Sequence, residues 1–202
     1  METIDVTLNG YTDVPAGKVA NIATFLEVTE KPTQRECGAS DLAIEHMVKP
    51  ELERYRKLFR AVGEDWLWFS RLTIGEEKLL SLISNPNTDV FFLTQKNNDI
   101  GLLELDVKDT NNIELAFFGL VGGVVGRGIG GYLMNHAMDR VFGHYDASRF
   151  FVHTCTMDHP GALKFYMKCG FKPYKRAIEI ADDPRLSGHI DRSLGKHHPV
   201  ID

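Results

Sequence analysis

The stretch IELAFFGLVGGVVGRGIGGYLMNHAMDRVFGHYDASRFFVHTCTMDHPGALKFYMKCGF, residues 113–171, decides the fold. It opens on an apolar strand and passes through a glycine-rich turn into a helix. It then returns as a second strand and ends in a second helix closed by Cys169-Gly170-Phe171. Ile129, Leu133, Ala137 and Val141 fall on one face of the first helix. Strand, helix and strand in this order make a βαβ crossover. Gly126, Gly128, Gly130 and Gly131 stand where the helix begins, and glycine lets a ligand approach the backbone closely. The first-turn N–H groups are unpaired there and the positive end of the helix dipole faces the same point. Arg127 adds a positive charge. The turn reads as an anion site suited to a pyrophosphate.

Two kinds of protein carry such a turn. Gly126-Arg127-Gly128-Ile129-Gly130-Gly131 matches G-x-G-x-x-G, the dinucleotide fingerprint. That fingerprint wants a glycine directly off the strand and an acid closing the next strand. Here the strand ends near Val121, and the strand Arg149–Cys155 closes on Thr154-Cys155-Thr156 with no acid before Asp158. An NAD(P)-binding oxidoreductase is therefore the weaker alternative.

The segment more closely resembles the GNAT superfamily of acyl-CoA-dependent N-acyltransferases. That family's phosphate motif, Gln/Arg-x-x-Gly-x-Gly/Ala, falls on Val125-Gly126-Arg127-Gly128-Ile129-Gly130, with Val in the first place. Its second signature, Asn-x-x-Ala-x-x-x-Tyr followed by Gly-Phe, falls on His159-Pro160-Gly161-Ala162-Leu163-Lys164-Phe165-Tyr166 and Gly170-Phe171, with His in place of Asn. The resemblance runs from about Asp99 to Tyr174. It implies an α/β fold of the α+β type: a mixed, mostly antiparallel central sheet with helices on both faces. It implies acetyl-CoA as co-substrate and acetyl transfer to a primary amine by direct attack. Gly126, Arg127, Gly128, Ile129, Gly130 and Gly131 would bind the pyrophosphate. Leu120 and Val121 would offer backbone to the pantetheine arm beside a bulge marked by Gly119, and His159, Ala162 and Tyr166 would complete the cofactor contacts. A non-catalytic acyl-CoA-binding sensor is the rival use of the same turn.

Tyr166 is the candidate acid, because a phenol's pKa near 10 is close to that of a thiol leaving group. Glu114, on the motif strand, is the first candidate base. A hairpin turning around residues 108–112 would set Glu104 nearly opposite it, and facing carboxylates raise the pKa of one of the pair. His153 and Asp158 are further candidates beside the acceptor, although Asp158 is expected to cap the following helix. His153, Cys155, Asp158 and His159 crowd together but lack the paired spacing of a zinc site, so no metal is expected. Trp66, Trp68 and Phe69 form either a wall for the acceptor or core.

The rest of the chain is consistent with one domain over residues 1–181 and a polar C-terminal tail over 182–202. With 202 residues, 43% of them hydrophobic, it can bury a core. The net charge of −5 is spread without a basic block, so nucleic acid is not expected as a partner. No transmembrane run or leader-like start appears, and Cys37, Cys155 and Cys169 are odd in number without C-x-x-C pairing. A cytoplasmic protein is expected, monomer or homodimer, acting on a small-molecule or peptide amine. Alternation predicts a strand over residues 2–8 and another within 14–28. Residues 30–42 read as loop, helices are expected over 50–62 and 75–83, then a three-strand meander from Val90 and a last strand over 174–180.

Overall fold

The computed structural model describes residues 3–33, 40–125 and 128–202. In chain order the elements are β1 (Lys18–Val28), β2 (Leu42–His46), α1 (Leu52–Gly63), α2 (Glu76–Ile83), β3 (Thr88–Gln95), β4 (Asn98–Asp106), β5 (Asn112–Leu120), α3 (Ile129–Met138), β6 (Arg149–Cys155), α4 (Ala162–Lys168) and β7 (Lys172–Asp182). The strands form one seven-stranded sheet in the order β2-β3-β4-β5-β6-β1-β7. Only the β5–β6 pair is parallel, as a crossover through α3 requires. The β3–β4 hairpin turns on Lys96 and Asn97, both at positive φ (49° and 64°), the backbone of the tight turns that match strand twist.

Alternation along β4 sorts the core onto two faces. Leu103 and Leu105 pack with Ile113, Leu115, Phe150 and Val152 beneath Leu133, Ala137 and Val141 of the α3 region. Leu102 packs on the other face with Phe92, Tyr55, Phe59, Leu79 and Ile83, under α1 and α2. Helices therefore cover both faces of a mostly antiparallel sheet, as expected. Among the described residues no helix is long and apolar enough to cross a membrane.

Two expectations are corrected. Residues 3–7 form no strand, and Leu8 is 89% exposed. Alternation without a neighbouring strand leaves backbone groups to water and local bonds, such as Thr7 N–H to Thr12 Oγ1 at 2.8 Å. Leu42–His46, of which Leu42 reads in the sequence as loop and the rest as no element, is an edge strand on β3. β1 also lies far from its place in sequence: it inserts between β6 and β7, antiparallel to both.

The C-terminal segment is pinned to the sheet rather than trailing. Arg185, 5% exposed, donates from Nε and Nη2 to Asp183 at 2.9 and 2.7 Å, and from Nη1 to the carbonyls of Leu194, Gly195 and His198. Ile190 joins Val19, Leu67 and Met157 in a third apolar cluster. Leu67 holds a left-handed backbone (φ 56°), and Gly195 must be glycine because a Cβ there would meet the Leu67 side chain at 2.5 Å. Replacing Arg185 with Met should strand the buried Asp183 charge and cost about 3–5 kcal/mol. Urea denaturation of R185M against wild type measures this; a loss under about 1 kcal/mol would mean that the pair holds nothing together.

Candidate active site

The glycine turn leaves the start of α3 open to solvent. Gly128 takes φ 78° at the start of α3, no side chain caps the helix, and open space lies where its Cβ would be. Gly122, Gly123 and Gly131 also face open space. Gly130 turns inward, where a Cβ would lie 3.3 Å from Phe165 of α4 and 3.8 Å from Leu120 of β5. The helix start, the strand end and α4 thus converge, and an uncapped N-terminus surrounded by open glycine positions fits a diphosphate. Gly126 and Arg127 lie outside the described residues.

Next to this turn the sheet opens. The β5–β6 ladder runs only from Asn112 to Glu114 against Arg149 to Phe151. On the other side of β5, Leu105 pairs with Leu115 and Glu104 with Phe117, so Ala116 is an extra, bulged residue. A bulge bends its strand and strengthens the twist. From Leu115 onward the edge of β5 that faces β6 carries no ladder, and its backbone groups can take an extended ligand arm. The bulge thus lies at Ala116 and not at Gly119, which pairs regularly with Leu102. Gly119 serves packing instead, since a Cβ there would sit 2.3 Å from Val62 of α1. Val121 N–H donates to Ile100 O at 3.0 Å and its carbonyl accepts from Val124 N–H, so its backbone is already engaged. Leu120 packs beside the α3 start.

The two candidate catalytic residues approach the opening from opposite faces. Tyr166 is 6% exposed on the α3–α4 face, ringed by Phe118, Phe165 and Phe171. Burial pushes its phenol well above the ordinary value, with Asp158 adding to the shift, and its hydroxyl bonds to no described residue. Glu114 lies on the α1–α2 face with its Oε1 3.3 Å from Nδ1 of His153. That carboxylate holds the His153 imidazole above the usual histidine range, and Asp158 and Glu179 act the same way against the opposing effect of burial. Cys155, two residues along, has a thiol pushed up to about 11, first by burial and then by Asp158. No group of three or more His, Cys, Asp or Glu among the described residues could hold a metal.

Comparisons with known proteins bear on the family and the fold. The profile described as "Acetyltransferase (GNAT) family" matches residues 52–171, more than half the chain. The chain belongs to the GNAT acetyltransferase family. The fold resembles a GCN5-related N-acetyltransferase from Sphaerobacter thermophilus (TM-score 0.57, 13% identity, 81% of this chain and 52% of that one). It also resembles one from Kribbella flavida (TM-score 0.55, 15% identity, 85% and 63%). A third neighbour is a GNAT family acetyltransferase from Elizabethkingia anophelis with acetyl-CoA bound (TM-score 0.52, 16% identity, 68% and 80%). The chain therefore spans between half and two thirds of the length of the first two. No curated protein matches it. Membership of this family sets aside the dinucleotide reading of the glycine turn.

In this GNAT chain several residues stand differently from their sequence reading. Glu104 does not face Glu114: the bulge sets it opposite Phe117 and sets Asp106 opposite Glu114. Glu104 is 1% exposed, accepts from the Tyr55 hydroxyl, and pairs with Arg71 Nη2 at 2.6 Å. Its charge acts on its own partners: burial and then Glu104 push the Tyr55 phenol up, and Glu104 raises the Arg71 guanidinium against the opposing effect of burial. Asp158 caps no helix, as α4 begins at Ala162 without a side-chain cap. Instead it accepts from Trp68 Nε1 (2.9 Å), Thr154 Oγ1 (2.7 Å) and Cys155 N–H (2.9 Å), tying the loop after α1 to the end of β6. Trp68 packs on Phe59 and Phe117 at the margin of the core, whereas Trp66 meets His159 edge-on and His197 at a tilt. His159 Nδ1 accepts from Gly161 N–H at 2.9 Å, and Ala162 N–H donates to the His159 carbonyl. Arg71 and Tyr55 carried no motif, and only the fold reveals them.

The turn can be tested without disturbing the fold. A Gly131→Glu side chain enters open space, improves helix propensity and suits a first turn. G131E should keep or raise the melting temperature and weaken CoA binding by about tenfold or more, a change of about 1.4 kcal/mol. Calorimetric titration with CoA checks this; unchanged affinity would place the diphosphate elsewhere.

Proposed function

We propose that the chain transfers an acetyl group from acetyl-CoA to a primary amine by direct attack. The observation that carries this reading is the opening between β5 and β6, with an anion turn and a protonated phenol on one side and a carboxylate-backed imidazole on the other. Acetyl-CoA, when bound, supplies a thioester whose carbonyl the amine attacks. The residues that would hold it are the α3 start at Gly128 to Gly131 and the open edge of β5 from Ala116 to Leu120.

His153 takes a proton from the incoming ammonium at Nε2, the ring nitrogen turned away from Glu114. Glu114 orients the ring through Nδ1 and stabilises the imidazolium that results. Tyr166 delivers its proton from Oη to the departing sulfur; burial raises the phenol above its ordinary value and so makes it a weaker acid than the sequence implied, and the transfer relies on a close Oη–sulfur contact in the closed site. Cys155 does not carry the acetyl group, because a thiol raised to about 11 holds almost no thiolate at neutral pH. Trp68 and Phe117 exclude water from the acceptor side. Between Glu114 and His153, the imidazole is the base and the carboxylate its positioning partner.

Two expected outcomes test this. Tyr166→Phe should lower kcat by about 100-fold while CoA affinity stays within a few-fold; full activity in Y166F would remove the phenol from the mechanism. The pH profile of kcat should rise through the His153 pKa, above the ordinary value of about 6.5, because the base works as the neutral ring. In Glu114→Gln the ring loses its main source of extra proton affinity, so this limb should move to lower pH. The amine's own titration does not move with an enzyme variant, so a limb unchanged in E114Q would exclude His153 as the base. Binding of CoA without turnover of any amine would leave the acyl-CoA sensor.

A further inference from the structure

On the α1–α2 face of the sheet some carboxylates are met by cations, and two at the end formed by β6, β1 and β7 are not. Glu104 is met by Arg71 at 2.6 Å and Glu27 by Arg149 at 2.5 Å. Asp158 accepts only from an indole, a hydroxyl and a backbone amide. Glu179 accepts from a single neutral donor, Asn21 Nδ2 at 2.9 Å. Neither Asp158 nor Glu179 has a Lys, Arg or His nitrogen within 4.0 Å among the described residues, and Lys175 lies over the Phe25 ring instead. The fields of both carboxylates reach His153 and Cys155.

A second observation falls at the same place. Asn21 is 3% exposed, and its amide is turned into the cluster, since Nδ2 bonds Glu179. Oδ1 of that amide is buried and accepts from no described residue. An orphaned acceptor beside an unbalanced carboxylate lacks one thing, a cationic N–H donor. An ammonium meets both needs, giving one N–H to Glu179 and another to Asn21 Oδ1. Asn21 pairs with Glu179 across β1 and β7, and both strands lie outside the segment that matches the family. The row between this pair and Phe25–Lys175 is Ala23–Ala177, small side chains that leave the floor low.

Resting on the acetyltransferase reading above, we propose that Glu179 and Asn21 form a subsite for a second ammonium of the acceptor, which is therefore a linear diamine or polyamine. The reacting amine lies at His153. Phe25 pairs with His153 and with Lys175, so Glu179 stands two strands across and four residues along from His153. By sheet spacing that is about 17 Å between Cα atoms, shortened where the two side chains lean together. A flexible alkyl chain between two amines bridges such a gap, and a single ammonium does not.

The test compares hexamethylenediamine and spermidine with hexylamine, ε-aminocaproate and a lysine-rich peptide. Acetyl-CoA-dependent thiol release and the mass of the acetylated product are the readouts. The two polycationic amines should exceed hexylamine in kcat/KM by about tenfold or more, with ε-aminocaproate the poorest. In Glu179→Gln, an exposed and isosteric change, the diamine-to-monoamine ratio should fall to near one, mostly through the KM of the diamine. Asn21→Leu should lower the same ratio, and a melting curve for each variant reports folding. Hexylamine or ε-aminocaproate matching the diamine, a ratio unmoved by E179Q, or the peptide preferred to every small amine would each overturn the subsite. Acetylation of none of them despite CoA binding would instead overturn amine transfer itself.

Discussion

β5 and β6 start side by side and part after three residues, and the candidate site depends on that parting. The parallel ladder between Asn112–Glu114 and Arg149–Phe151 anchors the two strands at one end. The bulge at Ala116 then bends β5 while β4 continues to hold its other edge. Neither strand closes over the gap, because α3 and α4 brace one side of it and the loop after α1 braces the other. Backbone polar groups in such a gap need partners, and a bound extended arm would provide them. Gly119 and Gly130 are glycine for the same reason: each lets a neighbour, Val62 or Phe165, come close enough to hold the walls.

Protonation follows from which face each group occupies. Tyr166 is enclosed by aromatic rings and keeps its proton. Cys155, half-buried near Asp158, keeps its own. His153 has a carboxylate at hydrogen-bonding range and two more acting at longer distance, so it gains protons readily and releases them above its raised pKa. In the proposed mechanism one face gives a proton and the other takes one, as amine acylation demands. In the same proposal the carboxylates around His153 would draw cations toward it. On that account the rate and the choice of acceptor rest on the same carboxylates.

Much of the fold was legible in the sequence. Two-residue alternation read the β3–β4–β5 meander, helical spacing read α1, α2 and α3, and the glycine turn read the crossover. Alternation failed at residues 3–7, where no strand lies alongside, and β2 was missed because five residues at an edge carry little pattern. The insertion of β1 between β6 and β7 has no local signal, since pairing 150 residues apart is decided by the assembled sheet. The site was read less well for related reasons. A bulge has no required residue, so Gly119 drew attention that belonged to Ala116. That one-residue slip removed Glu104 from Glu114 and gave it to Tyr55 and Arg71. His153 was weighed as a base, but its pairing with Glu114 depends on the register of β5 against β6. Asn21 and Glu179 meet only because β1 and β7 are neighbours.

The central claim is that the acetyl group is handed over within the β5–β6 gap, between Tyr166 and His153. A crystal structure of the protein with CoA tests it most directly. The account predicts the diphosphate at the start of α3, the pantetheine arm bonded to β5 beyond Ala116, and the sulfur within hydrogen-bonding distance of Tyr166 Oη with its other side open to His153. A sulfur lodged away from the gap, or one reaching Cys155 rather than Tyr166, would contradict it.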